Sequence, residues 1–218
     1  MRTLLRWGGP ILEQALVLGL LTCLVVLPIV AYLHRRRHGT FAGSWRWRAP
    51  VVILYLVGIV SFTFLPLPDP HSLVCNGTVN YPRFFAGWSV RHALRETAGS
   101  GPLGLFTWYF VQIYLNILLF VPWGVAARWF FRSSLRTAFL SAFAASLLIE
   151  LTQLTGVWGY FDCRYRTFDV DDMITNTLGA IIGWFLVWAV TTYRRARVGA
   201  RAPRRALKRE EPHAGTGC

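Results

Sequence analysis

Five apolar runs, each about as long as a bilayer is thick, constrain this chain more than any other feature. A helix crossing the hydrocarbon core needs about 20 apolar residues. Runs of that size extend over 11–33, 50–67, 105–126, 137–155 and 173–193. Arginine is concentrated in the gaps between them, a distribution typical of membrane proteins. Composition agrees: 54% of the 218 residues are hydrophobic and 15% charged, against roughly 25% charged in an average soluble domain. Too little polar surface remains to cover a water-facing globule, and the chain is too hydrophobic to be disordered. The formal net charge of +13 sits in the gaps rather than on a folded basic face, so nucleic acid is not an expected partner.

The expected fold is all-α: one polytopic membrane domain over residues 1–193 with five transmembrane helices, then a basic tail over 194–218. That tail is rich in Arg, Ala and Gly, and is expected to be disordered or to lie on anionic lipid. The first run exceeds a secretory h-region and lacks a small-residue cleavage site, so it reads as a span. Sixteen of the 23 basic residues fall in the connection after the first span, the connection after the third, and the tail. Five spans put all three on one side. The positive-inside rule makes that side cytoplasmic and the N-terminus external.

Two external loops follow, 68–104 and 156–170. In the first, FFAGWSVRHALRE sets Phe84, Phe85, Trp88 and Leu94 against Arg91, Arg95 and Glu96, the pattern of a short interfacial amphipathic helix. Trp108, Tyr109, Trp158 and Tyr160 read as an aromatic belt. Cys75 and Cys163 fall one in each external loop, where an oxidising compartment favours a disulfide. Cys23 lies mid-span and Cys218 in the tail. Asn76-Gly77-Thr78 is a glycosylation sequon that matters only in a eukaryotic secretory pathway.

Strongly polar residues inside spans are costly and mark functional sites by default. Here they form stripes. Gln112 and Asn116 are four apart in the third span, and Glu150 and Gln153 three apart in the fourth. Asp169, Asp172 and Asn176 share a stripe at the start of the fifth, with Arg164 and Arg166 just above. All three stripes lie in the external half of the membrane. A polar plug of interhelical hydrogen bonds is one reading. Several buried carboxylates repel one another, however, which points instead to a cation, an arginine partner or a polar substrate group. Glu150, Asp169 and Asp172 would suffice to ligate a divalent cation such as Mg²⁺ or Ca²⁺ without requiring one. They would equally serve as general acid and base. Below them Gly179 and Gly183 form a GxxxG pattern for close helix approach, and Pro122 with Gly124 predicts a break or end in the third helix. There is no GxSxG, HExxH or phosphate-binding glycine loop.

Three blocks resemble the VanZ-like membrane proteins: NILLFVPWG at Asn116–Gly124, SLLIELTQ at Ser146–Gln153, and RTFDVDDMITNTLGAIIG at Arg166–Gly183. The resemblance covers about residues 50–193 and departs in VWGYFDCRY, which is longer, and NYPRFF, which matches loosely. It implies a multi-pass protein of the bacterial plasma membrane; the family's namesake is associated with resistance to teicoplanin, a lipid-tailed glycopeptide. Its motif positions carry over as Asn116, Pro122, Gly124, Glu150, Gln153, Arg166, Asp169, Asp172, Asn176, Gly179 and Gly183. The expected function is protection against, or handling of, an amphiphilic agent or lipid-linked envelope precursor at the outer leaflet. Glu150, Asp169, Asp172 and Arg166 would form its charged centre, and Gln112, Asn116, Gln153 and Asn176 its substrate-binding partners. The alternatives are an intramembrane enzyme acting on a lipid head group and a non-catalytic packing or partner protein. A transporter is disfavoured, since no paired halves are visible.

Overall fold

The computed structural model describes residues 2–40, 43–65, 67–69, 73, 75, 81–97 and 107–207, with the side chains of 2–12, 108 and 198–207 outside the description. The sequon, Cys218, the start of the third expected span at 105–106, and tail residues 208–218 also lie outside it. The helices are α1 (Arg2–His38), α2 (Trp45–Phe64), α3 (Trp88–Thr97), α4 (Trp108–Trp129), α5 (Leu135–Leu154), the single turn α6 (Gly156–Gly159) and α7 (Val170–Leu207). Five of them, α1, α2, α4, α5 and α7, are long and apolar enough to cross a membrane.

The tail is not irregular throughout: α7 continues to Leu207, which leaves the expected alternative, a tail lying on anionic lipid, as it stood. Arg and Ala are good helix formers, and extending an existing helix avoids the cost of nucleation. Nor does Pro122 end α4, which runs on to Trp129. Proline withholds the N–H that would serve the Leu118 carbonyl, and within a membrane neighbouring helices meet such a deficit. The Tyr55 hydroxyl of α2 donates at 2.8 Å to the next carbonyl, that of Leu119, and so ties α2 to α4 at this turn.

The helices α4 and α7 make the most intimate pair, and glycine is the reason. A Cβ on Gly179 would overlap the Ile117 carbonyl, one on Gly183 the Val121 carbonyl, and one on Gly124 the Ala180 carbonyl. Backbones approach this closely only where side chains are absent. Around that seam Phe120, Ile59, Ala142, Ile149 and Ala180 form the buried core. Helix α1 packs on α2 at the periphery, and Leu20, Leu24 and Val25 are more than half exposed, as suits side chains that face lipid.

Cross-links define two ends of the bundle. At one, Arg48 at the start of α2 donates to the Phe130 carbonyl at the end of α4, and the Trp184 indole of α7 donates to the Ser133 carbonyl. The arginine-rich connections gather here. At the other, a disulfide joins Cys75 to Cys163, and Gln153 of α5 donates to the Thr63 carbonyl of α2 at 3.0 Å. The turn α6 lies at this disulfide end and winds left-handed, with φ of 58° at both Val157 and Trp158. An L-residue pays roughly 1–2 kcal/mol for that conformation.

Candidate functional site

At the disulfide end, the chain before α7 lies beside the segment before α3. Arg83 and Asp169 form a parallel bridge: the Arg83 N–H donates to the Phe168 carbonyl at 2.8 Å, and the Val170 N–H to the Arg83 carbonyl at 3.1 Å. The side chains repeat the pairing. The Arg83 guanidinium meets Asp169 Oδ2 at 3.0 Å, where the Ser89 hydroxyl also donates at 3.1 Å. Asp169 Oδ1 accepts the Asp171 N–H at 2.9 Å, and the Asp169 N–H donates to Glu150 Oε2 at 2.8 Å. Arg83 also stacks over Trp88, 3.6 Å from the ring centre, a cation–π arrangement that fixes the guanidinium plane.

Asp171 completes this latch. Its carboxylate accepts the Gly87 N–H at 2.6 Å and the Ser89 N–H at 2.7 Å. These lie at the amino end of α3, where helix N–H groups lack internal partners and favour an anion. The carboxylate of α7 therefore caps α3 from outside that helix. The loop helix is thereby held to the bundle, with Ser89 and Ala93 buried beneath it.

The expected polar stripes are accounted for in separate contacts. Gln112 donates to Asp172 at 3.3 Å, linking α4 to α7. Asn176 donates to the Ser146 hydroxyl at 2.9 Å, linking α7 to α5. Asn116 lies beside Asp172, and Asn176 keeps a buried Oδ1 with no partner among the described residues. Gln153 is taken up by α2. Arg166 departs from expectation altogether: it donates to the Leu65 carbonyl at 2.8 Å and so closes the end of α2 rather than facing the acids. The arginine that does pair with them is Arg83.

Glu150 and Asp169 are each 1% exposed, so the centre of the cluster is closed. Burial pushes the Asp169 carboxyl above its ordinary range, against the opposing pull of the Asp171 N–H and Arg83. Burial also lowers the basicity of Arg166, countered by Tyr165, and raises the Tyr165 phenol. Among the described residues, no three His, Cys, Asp or Glu side chains come together to hold a metal ion. This corrects the reading of Glu150, Asp169 and Asp172 as a ligand set. Each carboxylate instead accepts from a protein donor, Glu150 from the Asp169 N–H, Asp169 from Arg83 and Asp172 from Gln112.

Beside the latch opens a cavity of about 900 Å³. Tyr81, Phe84, Phe85 and Trp88 line it together with Arg83 and Arg164. Phe85 is 84% and Tyr81 72% exposed. An aromatic rim with two guanidinium groups suits a ligand that is both apolar and anionic.

Sequence comparison adds one decisive match: the family model VanZ/LLP1 aligns with residues 52–191. The chain belongs to the VanZ/LLP1 family. The matched stretch includes every latch residue and most of α2 through α7, whereas α1 precedes it. Searches of curated proteins and of solved structures found no significant match. Family membership and the five apolar helices together make this a multi-pass membrane protein. Arg83 and Asp171 were not singled out from the sequence. An acid in the first turn of α7 has an ordinary reading there, and Arg83 sits in a loop without periodicity.

Proposed function

We propose that this VanZ/LLP1 protein handles an anionic amphiphile at the outer leaflet of the bacterial plasma membrane, protecting against a lipid-tailed glycopeptide or engaging a lipid-linked envelope precursor. The cavity at the disulfide end carries this reading, since Tyr81, Phe84, Phe85 and Trp88 offer apolar surface beside Arg83 and Arg164. The disulfide supports an external position for that end, because such bonds persist in oxidising compartments. In this reading the buried acids are positioning residues. Asp169 holds Arg83, Glu150 holds the Asp169 N–H, and Asp171 holds α3, so that the cavity keeps its shape.

An acyl chain entering the leaflet gains about 0.8 kcal/mol per buried CH₂. A protein acting at that depth discriminates by lipid tail. Expressed in a susceptible Gram-positive host, it should raise the inhibitory concentration of teicoplanin more than that of tail-less vancomycin. Phe85→Asp should remove the difference, since it places an anion on the exposed rim. Lack of any shift for teicoplanin refutes the protective role.

A second reading, an enzyme acting on a lipid head group, draws on one observation. Asp172 is only partly buried, and Asn176 Oδ1, one turn further along the same helix, is buried with no partner among the described residues. Equal shifts for both drugs, abolished by Asp172→Asn, would favour it.

A further inference from the structure

A second cavity, of about 360 Å³, lies at the arginine-rich end between α1, the start of α2 and the end of α4. Val26 and Val30 of α1, Val52 and Ile53 of α2, and Phe130 make it apolar along most of its length. Arg48 marks its polar end. A guanidinium has five N–H donors. This one makes a single long hydrogen bond, 3.4 Å to the Phe130 carbonyl, and rests 5.5 Å and 5.6 Å from the Trp47 and Phe130 ring centres. Among the described residues its Nε is buried with no partner. Arg48 makes no ion pair with any described carboxylate; the Arg83–Asp169 pair stands at the opposite end. Trp45 lines the same cavity, and its Nε1 is likewise buried with no partner among the described residues. Ser44 also lines it, and its hydroxyl makes no capping bond to α2.

Such a combination calls for an acceptor. An arginine at membrane depth persists by pairing or by reaching the interface, and a buried donor without an acceptor carries its full desolvation cost. We propose that the cavity binds a phospholipid from the leaflet at the arginine-rich end. One acyl chain lies along Val26, Val30 and Ile53, and the phosphate oxygens accept from the Arg48 guanidinium and the Trp45 indole. Arginine matches phosphate by charge and by paired N–H geometry. A free anion would leave the apolar length empty, whereas an acyl chain fills it. Exposed Arg46 and the Arg35–Arg37 run at the end of α1 add positive potential, which favours a lipid of net negative charge over a zwitterionic one. The site is separate from the disulfide-end cavity, and two of its apolar wall residues, Val26 and Val30, come from α1, outside the family match.

The test uses the full-length protein, delipidated in detergent and titrated with phosphatidylglycerol, phosphatidylcholine or inorganic phosphate. Native mass spectrometry counts bound lipid, and tryptophan fluorescence follows thermal unfolding. Wild type should hold one phosphatidylglycerol. Arg48→Gln should weaken that binding about tenfold or more, as expected for a lost hydrogen bond to a charged group. Val30→Trp, which blocks the tail and leaves the charge, should weaken it comparably and decides the matter if Arg48→Gln fails to fold. Arg46→Gln, an exposed cation, should change it by about threefold or less. Wild-type affinity in Arg48→Gln or in Val30→Trp overturns the proposal. So does equal affinity for the two lipids, or stabilisation by inorganic phosphate equal to that by phosphatidylglycerol.

Discussion

Replacing Arg83 by alanine removes the cation from the latch and leaves its anion buried. The Asp169 side chain is 2% exposed and that of Arg83 21%. Breaking a buried pair from one side costs about 3–5 kcal/mol. Asp169 retains the Ser89 hydroxyl and the Asp171 N–H, and Arg83 is partly solvated, which lowers the expectation to about 2–3 kcal/mol. Loss of the stack on Trp88 adds about 0.5–1 kcal/mol.

The pH dependence makes the argument specific. Burial holds the folded-state pKa of Asp169 above its ordinary 3.8, so the folded state binds the proton more tightly than the unfolded state. The stability linked to that proton is fully present below about pH 4 and is lost as pH rises through the folded value. Arg83 lowers the folded value, so its removal raises it further. The Arg83→Ala deficit should therefore be largest at the alkaline end of the measured range and shrink at the acid end, as Asp169 protonates and no unpaired charge remains. Thermal unfolding of purified protein, followed by the fluorescence of its 10 tryptophans, measures both. Adding Asp169→Asn should recover part of the deficit and flatten its pH dependence. A deficit equal at both ends of that range, or below about 0.5 kcal/mol, refutes the reasoning.

Gly124→Ala and Gly179→Ala each place a methyl on a carbonyl of the facing helix; each should cost about 1–3 kcal/mol by overpacking, seen as lower thermal stability in detergent. Asp171→Asn should loosen α3 by about 0.5–2 kcal/mol, as loss of a capping group does, with faster amide hydrogen exchange in residues 88–97 and little change in α4. Val157→Gly removes roughly 1–2 kcal/mol of left-handed strain and returns about 0.5–1 kcal/mol of chain entropy, so the melting temperature should hold or rise slightly. Cysteines introduced at Ser72 and Tyr160 should react with an impermeant reagent added outside intact cells, and those at Thr40 and Ser133 should not; outside labelling at Thr40 would reverse the orientation.

Helix-forming apolar runs are local properties, so the five spans could be read from hydropathy alone, with ends that shifted by a few residues. The GxxxG of α7 was equally legible, because only glycine lets a backbone come as close as Ile117 and Val121 do. The stripes on α4, α5 and α7 followed from helical spacing, which assigns residues to a face but not to a partner. Which charges meet was decided by tertiary structure. Arg83 reaches Asp169 across 86 positions of sequence, through a loop whose path no periodicity records. Arg166, three residues from Asp169, turns instead to the unsatisfied end of α2. A guanidinium and a free helix carbonyl attract one another wherever the fold places them, and the chain's local pattern holds no information about that placement. Asp171 follows the same logic. Its neighbours in sequence mark it as an ordinary first-turn acid, and only the docking of α3 against α7 makes it the cap of a different helix.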